Sequence, residues 1–126
     1  MKLRLITAGI MILTMAMFSC KKDDAKPAFN LEGKWSGKHG EVVPNSYYGL
    51  VFKSNGVLQR VAASGTVGAT GSWSFSDNIL TGTYTFDNGT VVSLKATYDP
   101  ATGKLSGTYG YGSDTTGEAV FYLTRD

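Results

Sequence analysis

His39 is the only histidine among 126 residues, and Glu41 stands two places after it. On extended backbone, two residues apart share one face, so this pair could exchange a proton. Acid–base or covalent catalysis by a histidine needs an oriented nucleophile or a second partner, and no such pattern surrounds it. His39 therefore reads as a solvated or loop-bonded imidazole, and the chain as a non-enzyme. Cys20 is the one thiol, so no intrachain disulfide is available, and one imidazole does not make a zinc site. Asp77, Asp87, Asp99 and Asp114 fall in turns, where Asp bonds its own backbone, and the calcium-loop pattern is missing. No metal or cofactor is expected. The remaining chemistry is aromatic. Tyr48, Trp73, Tyr84 and Tyr109 each offer an apolar ring and a polar tip. They are the candidate lining of a mouth that takes a small hydrophobic or aromatic ligand; ordinary packing of the same rings is the alternative.

These rings recur in one short unit: Gly33-Lys34-Trp35-Ser36-Gly37, Gly71-Ser72-Trp73-Ser74-Phe75, Gly82-Thr83-Tyr84-Thr85-Phe86 and Gly107-Thr108-Tyr109-Gly110-Tyr111. Alternation of apolar and polar residues marks half-buried strands rather than helices. Eight strands are predicted, over 31–39, 47–53, 57–62, 71–76, 79–86, 91–98, 104–111 and 118–124. Turn residues separate them, including Ser54-Asn55-Gly56 and Asp87-Asn88-Gly89. Residues 64–70 are rich in Gly and small side chains and read as a mobile loop, long enough to act as a lid. After the leader no window carries the apolar period of a helix. Short connections make antiparallel neighbours, and a long meander leaves two raw edges unless it closes. The expected fold is all-β: an eight-stranded antiparallel up-and-down meander barrel, with a β-sandwich as the alternative.

Period two assigns the faces. Leu31, Trp35, Tyr48, Leu50, Phe52, Trp73, Phe75, Leu80, Tyr84 and Phe86 are expected inside. So are Val92, Leu94, Ala96, Tyr98, Leu105, Tyr109, Tyr111, Phe121 and Leu123. An eight-stranded barrel leaves room for packed side chains or one small ligand, so an open and a self-filled interior are both possible from the pattern.

Three segments divide the chain: 1–19, 20–28 and 29–126. Lys2 and Arg4 precede an apolar run from Leu5 to Phe18. That is a secretory leader, shorter than a membrane span of about 20 residues. Met17-Phe18-Ser19-Cys20 resembles the bacterial lipobox, which implies a signal peptide over 1–19 and lipid on Cys20, the new N-terminus. Acylation would also remove a free thiol that is a liability in an exported protein. Lys21-Lys22-Asp23-Asp24 begins a charged tether, which resembles the surface-export signals of Bacteroidetes lipoproteins. The resemblance implies a cell-envelope protein held to the outer membrane by its lipid, with periplasmic and surface display both open. Without Lys2 and Arg4, the net charge of +2 falls to zero, and no basic face suggests nucleic acid.

Leu31-Glu32-Gly33-Lys34-Trp35 resembles the first-strand Gly-x-Trp of lipocalins and related calycin barrels, including avidin-like proteins. In that family a basic residue at the end of the last strand packs across the tryptophan; Arg125 occupies the matching place. The resemblance implies a ligand-binding barrel over 29–126 with Gly33, Trp35 and Arg125 as its structural signature. The alternative is an envelope interaction protein that binds a protein or glycan, an enzyme inhibitor being one such case, built on a self-filled barrel; its protein partner is unknown.

Overall fold

The computed structural model describes residues 29–126, so the leader, Cys20 and the tether lie outside the described residues. Eight strands follow in order: β1 Gly33–Gly40, β2 Ser46–Phe52, β3 Val57–Val61, β4 Val67–Ser76, β5 Ile79–Phe86, β6 Val91–Asp99, β7 Lys104–Tyr111 and β8 Ala119–Arg125. Each pairs antiparallel with the next, and β8 returns to β1 with Trp35 opposite Arg125 and Gly40 opposite Val120. The sheet is a closed up-and-down barrel, not a sandwich. Closure removes the two free edges that a meander would expose. Local chemistry helps: Asp77 and Asn78 adopt φ of 53° and 65° between β4 and β5, the left-handed pair that a tight hairpin turn requires. Gly71 lets β4 approach β5, since a side chain there would run into the carbonyl oxygen of Thr83.

The interior is filled. Trp35, Tyr48, Phe52, Tyr84 and seven leucines, Leu31, Leu50, Leu58, Leu80, Leu94, Leu105 and Leu123, are buried in one cluster. Each such side chain contributes about 1.5–3 kcal/mol on burial. Trp73, Phe75, Phe86 and Tyr98 pack against this cluster while remaining partly exposed. The unit Leu31–Asp126 carries a complete core and a sheet without free edges, so it is a self-sufficient folding unit.

Three expectations need correction. Residues 67–70 are not loop: β4 begins at Val67, and Ala69 is buried opposite Arg60 and Phe86. Pairing with two neighbours overrode a composition of small residues, with a register irregularity at Arg60/Val61 absorbing the misfit. The lid shrinks to the turn after β3, where Ala62 N–H donates to Thr66 O at 2.9 Å. Tyr111 is not inside; it is 56% exposed where β7 leaves the sheet. Leu58, Val61, Ala69 and Ala119 join the buried set without having been assigned a face.

Because neighbours alternate in direction, the connections divide between two ends. Turns 53–56, 77–78 and 100–103, the start of β1 and the finish of β8 share what we term the entry end. Segments 41–45, 62–66, 87–90 and 112–118 form the loop end.

Candidate functional site

Three of the four candidate rings meet at the loop end. β2 carries Tyr48, β5 carries Tyr84 and β7 carries Tyr109, all on the inner face. The hydroxyls of Tyr48 and Tyr84 hydrogen-bond at 3.0 Å. The rings of Tyr48 and Tyr109 stack at 5.6 Å. His39, near the end of β1, lies over Tyr48 with ring centres 4.8 Å apart, and its Nδ1 shares a hydrogen bond of 2.6 Å with the Tyr109 hydroxyl. The isolated histidine is thus part of an aromatic network, with Tyr109 rather than Glu41 as its hydrogen-bond partner.

Trp73 is not part of this group. It belongs to the entry end, where its Nε1 donates to Lys53 O at 3.0 Å and its ring meets Phe52 edge-on at 5.4 Å. The expected four-ring mouth is therefore three tyrosines at one end and a tryptophan at the other. Period two assigns a face but not a depth, and the registers of β4 and β5 set the depth.

The residue that sequence reasoning missed is Arg60. It lies on β3 opposite Leu50 and Ala69, both buried, so its side chain starts on the inner face. The guanidinium carbon lies 4.9 Å from the Tyr48 ring centre, 6.0 Å from Tyr84 and 5.8 Å from Phe86. A cation over such faces is attracted by their negative potential, by about 0.5–2 kcal/mol. The signal was present: Arg60 follows Leu58 by two places, so an inward leucine implies an inward arginine.

Three recesses open at this end; one, of about 520 Å3, is formed by the 41–45 segment, and Arg60 and Phe86 line both of the others. Of these two, one of about 440 Å3 is completed by Tyr47, Val61, Ala62, Ala63, Thr66 and Gly68. The other, of about 420 Å3, is completed by His39, Asn88, Thr90, Val92, Tyr109 and Tyr111. Tyr109 is the one member of the expected quartet that lines either; Tyr48 and Tyr84 form the floor behind Arg60. Both recesses fall within the size range of small-ligand sites. Around them stand the exposed apolar side chains Val42, Val43, Tyr47, Val67 and Tyr111.

The electrostatics follow from partial burial beside one cation. Burial, then the charge of Arg60, lowers the pKa of His39, so the imidazole is neutral at pH 7. Burial pushes Tyr109 up to about 12. Burial also raises Tyr84, opposed by Arg60, and raises Tyr48 well above the usual tyrosine range. Neutral phenols and a neutral imidazole suit binding and orientation. Among the described residues, no group of three or more His, Cys, Asp or Glu is placed to hold a metal ion.

At the entry end the guanidinium carbon of Arg125 lies 4.8 Å from the Trp35 ring centre. Arg125 also donates to the Glu32 carbonyl. Trp35 is 1% exposed, and its Nε1 donates to Leu31 O at 2.9 Å. Gly33, at φ 124°, leaves space beside Arg125 Nη1. This cluster ties the last strand to the segment before the first.

No protein-family model matches the chain, and no curated protein matches it.

Proposed function

We propose that the protein is a non-enzymatic cell-envelope lipoprotein of lipocalin-like kind, held to the outer membrane through lipid on Cys20, whose barrel binds a small ligand with a hydrophobic or aromatic body. The site is at the loop end rather than in the barrel interior. The observation that carries this reading is the asymmetry of the molecule. The interior is filled by its own rings and leucines, while three recesses and an exposed apolar rim gather at one end; a further recess of about 410 Å3, on the wall formed by β4, β5 and β6 and bordered by Trp73, is lined mainly by Ser, Thr and Gly. Exposed apolar clusters like that rim mark binding surfaces.

The second reading is an interaction protein that grips a protein or glycan with its loops. Val42 and Val43 favour it: both are exposed on the 41–45 segment and line a separate recess there, not the two beside Arg60.

Titration of the 29–126 barrel with the neutral fluorophore N-phenylnaphthylamine tests the first reading. Ala62→Trp fills the β3–β4 recess without touching the core. Saturable binding that Ala62→Trp weakens about ten-fold, the loss of roughly 1.4 kcal/mol of apolar contact, is expected. Saturable binding indifferent to Ala62→Trp but lost in Trp73→Ala would move the site to the entry end. Absence of saturable binding would leave the interaction reading in its place.

A further inference from the structure

Arg60 has its face covered by rings and part of its edge engaged by the Tyr84 hydroxyl, while the guanidinium borders both recesses. Rings below a guanidinium stabilise the flat face, whereas its N–H groups lie in the plane and fit carboxylate or other oxyanions. Lys34 pairs with Asp126 at 3.6 Å on the outer surface near the strand ends, and among the described residues no carboxylate is paired with Arg60. A partly buried charge loses hydration, and here the rings and the Tyr84 hydroxyl offset that loss only in part, with no counter-charge. Arg60 is partly buried, and both recesses open on it.

We propose that the ligand of the loop end is an organic anion, with its acidic group in the plane of the Arg60 guanidinium and its apolar body in the recess formed by Val61, Ala62, Ala63 and Phe86. This assignment rests on the reading that the loop end is the ligand site, and it adds the chemical class. Asn88 and Thr90, in the adjoining recess, supply neutral polar groups to the same acidic head. The connecting segments at this end carry Glu41, Asp87, Asp114 and Glu118. Their negative charge disfavours a bare inorganic anion in solution, so the apolar body must supply part of the affinity. An amphipathic carboxylate or sulfonate satisfies both demands; inorganic phosphate satisfies one.

Two fluorophores that share a ring system separate the terms: anilinonaphthalene sulfonate carries the acid, and N-phenylnaphthylamine does not. The barrel 29–126 should bind the sulfonate more tightly than the neutral probe. Arg60→Met should weaken the sulfonate about ten-fold or more, the loss expected for a charge-assisted hydrogen bond, and leave the neutral probe within about two-fold. Arg60→Lys keeps the charge without the planar fork and should fall between the two. It also stands in for Arg60→Met should thermal melting show that variant unfolded, a reduced affinity for the sulfonate alone then being the expected result. Inorganic phosphate should fail to displace the sulfonate at concentrations where an aliphatic carboxylate succeeds. Sulfonate affinity unchanged in Arg60→Met, or both probes weakened equally in a folded variant, overturns the anion assignment. Binding of the neutral probe that Ala62→Trp blocks, combined with Arg60-independent sulfonate binding, removes the anion and keeps the site. Saturable binding of neither probe removes both.

Discussion

The barrel holds two arginines over aromatic rings, one at each end, and they do different work. Arg125 lies over Trp35 and donates to the Glu32 carbonyl. It joins the last strand to the segment preceding the first, and its ring is almost fully buried. Arg60 lies over Tyr48, Tyr84 and Phe86. It closes nothing: β3 is already paired on both sides, and open space adjoins the guanidinium. The same contact is a clasp where backbone carbonyls meet it and, on the proposed reading, a receptor where a recess meets it. The neighbouring residues decide which.

The comparison breaks most visibly in stability. Trp35→Ala should cost about 3–5 kcal/mol, as expected when a buried aromatic leaves a cavity; urea denaturation of the 29–126 barrel measures it. A loss below about 1 kcal/mol would mean that the entry end is no keystone of the fold. Arg125→Met should cost about 1 kcal/mol, within the range of an exposed cation–aromatic contact plus one hydrogen bond. Arg60→Met should change stability by less than about 0.5 kcal/mol, because an apolar chain on the same rings removes a poorly hydrated charge. Equal losses for the two arginines would erase the distinction between clasp and receptor.

Titration sharpens it further. Tyr109 is held at about 12 against an ordinary value of 10, and Tyr48 and Tyr84 are raised as well. A raised folded pKa means that the unfolded chain releases its proton first, so the stability from these groups is intact below pH 10 and is lost as pH rises through the folded values. Thermal melting should therefore fall steeply from pH 10 to 12, and Tyr109→Phe should flatten that fall. His39 has the opposite sense: its folded pKa is depressed below 6.5, so its contribution is present above pH 6.5 and lost as pH falls through the folded value. Trp35→Phe, a change at the entry end, should leave both slopes unaltered.

Much of the fold was legible because strand alternation and turn chemistry are local. Asp77-Asn78 announces its own hairpin, and eight short-linked strands without a helix leave closure as the natural answer to two raw edges. The misreadings came from non-local terms. Residues 67–70 look like loop until β3 and β5 are present to pair with them. Tyr111 keeps the inward phase of β7 but sits where the strand leaves the sheet. For the site, alternation identified three tyrosines that do converge, yet it could not separate Trp73 from them, because depth depends on register. Arg60 was overlooked although Leu58 two residues earlier shares its face. An inward cation in a strand is unfavourable locally and makes sense only once Tyr48, Tyr84 and Phe86 have been brought beneath it from β2 and β5.

Backbone amide mapping by nuclear magnetic resonance tests the division of labour most directly. Labelled 29–126 barrel is titrated with anilinonaphthalene sulfonate, and the shifted amides are assigned to the two ends. The account predicts saturable shifts at Arg60, Ala62, Thr66, Phe86 and Thr90, with Trp35, Trp73 and Tyr98 unmoved. Shifts centred on Trp73 and Tyr98, with Arg60 and Phe86 silent, would contradict it.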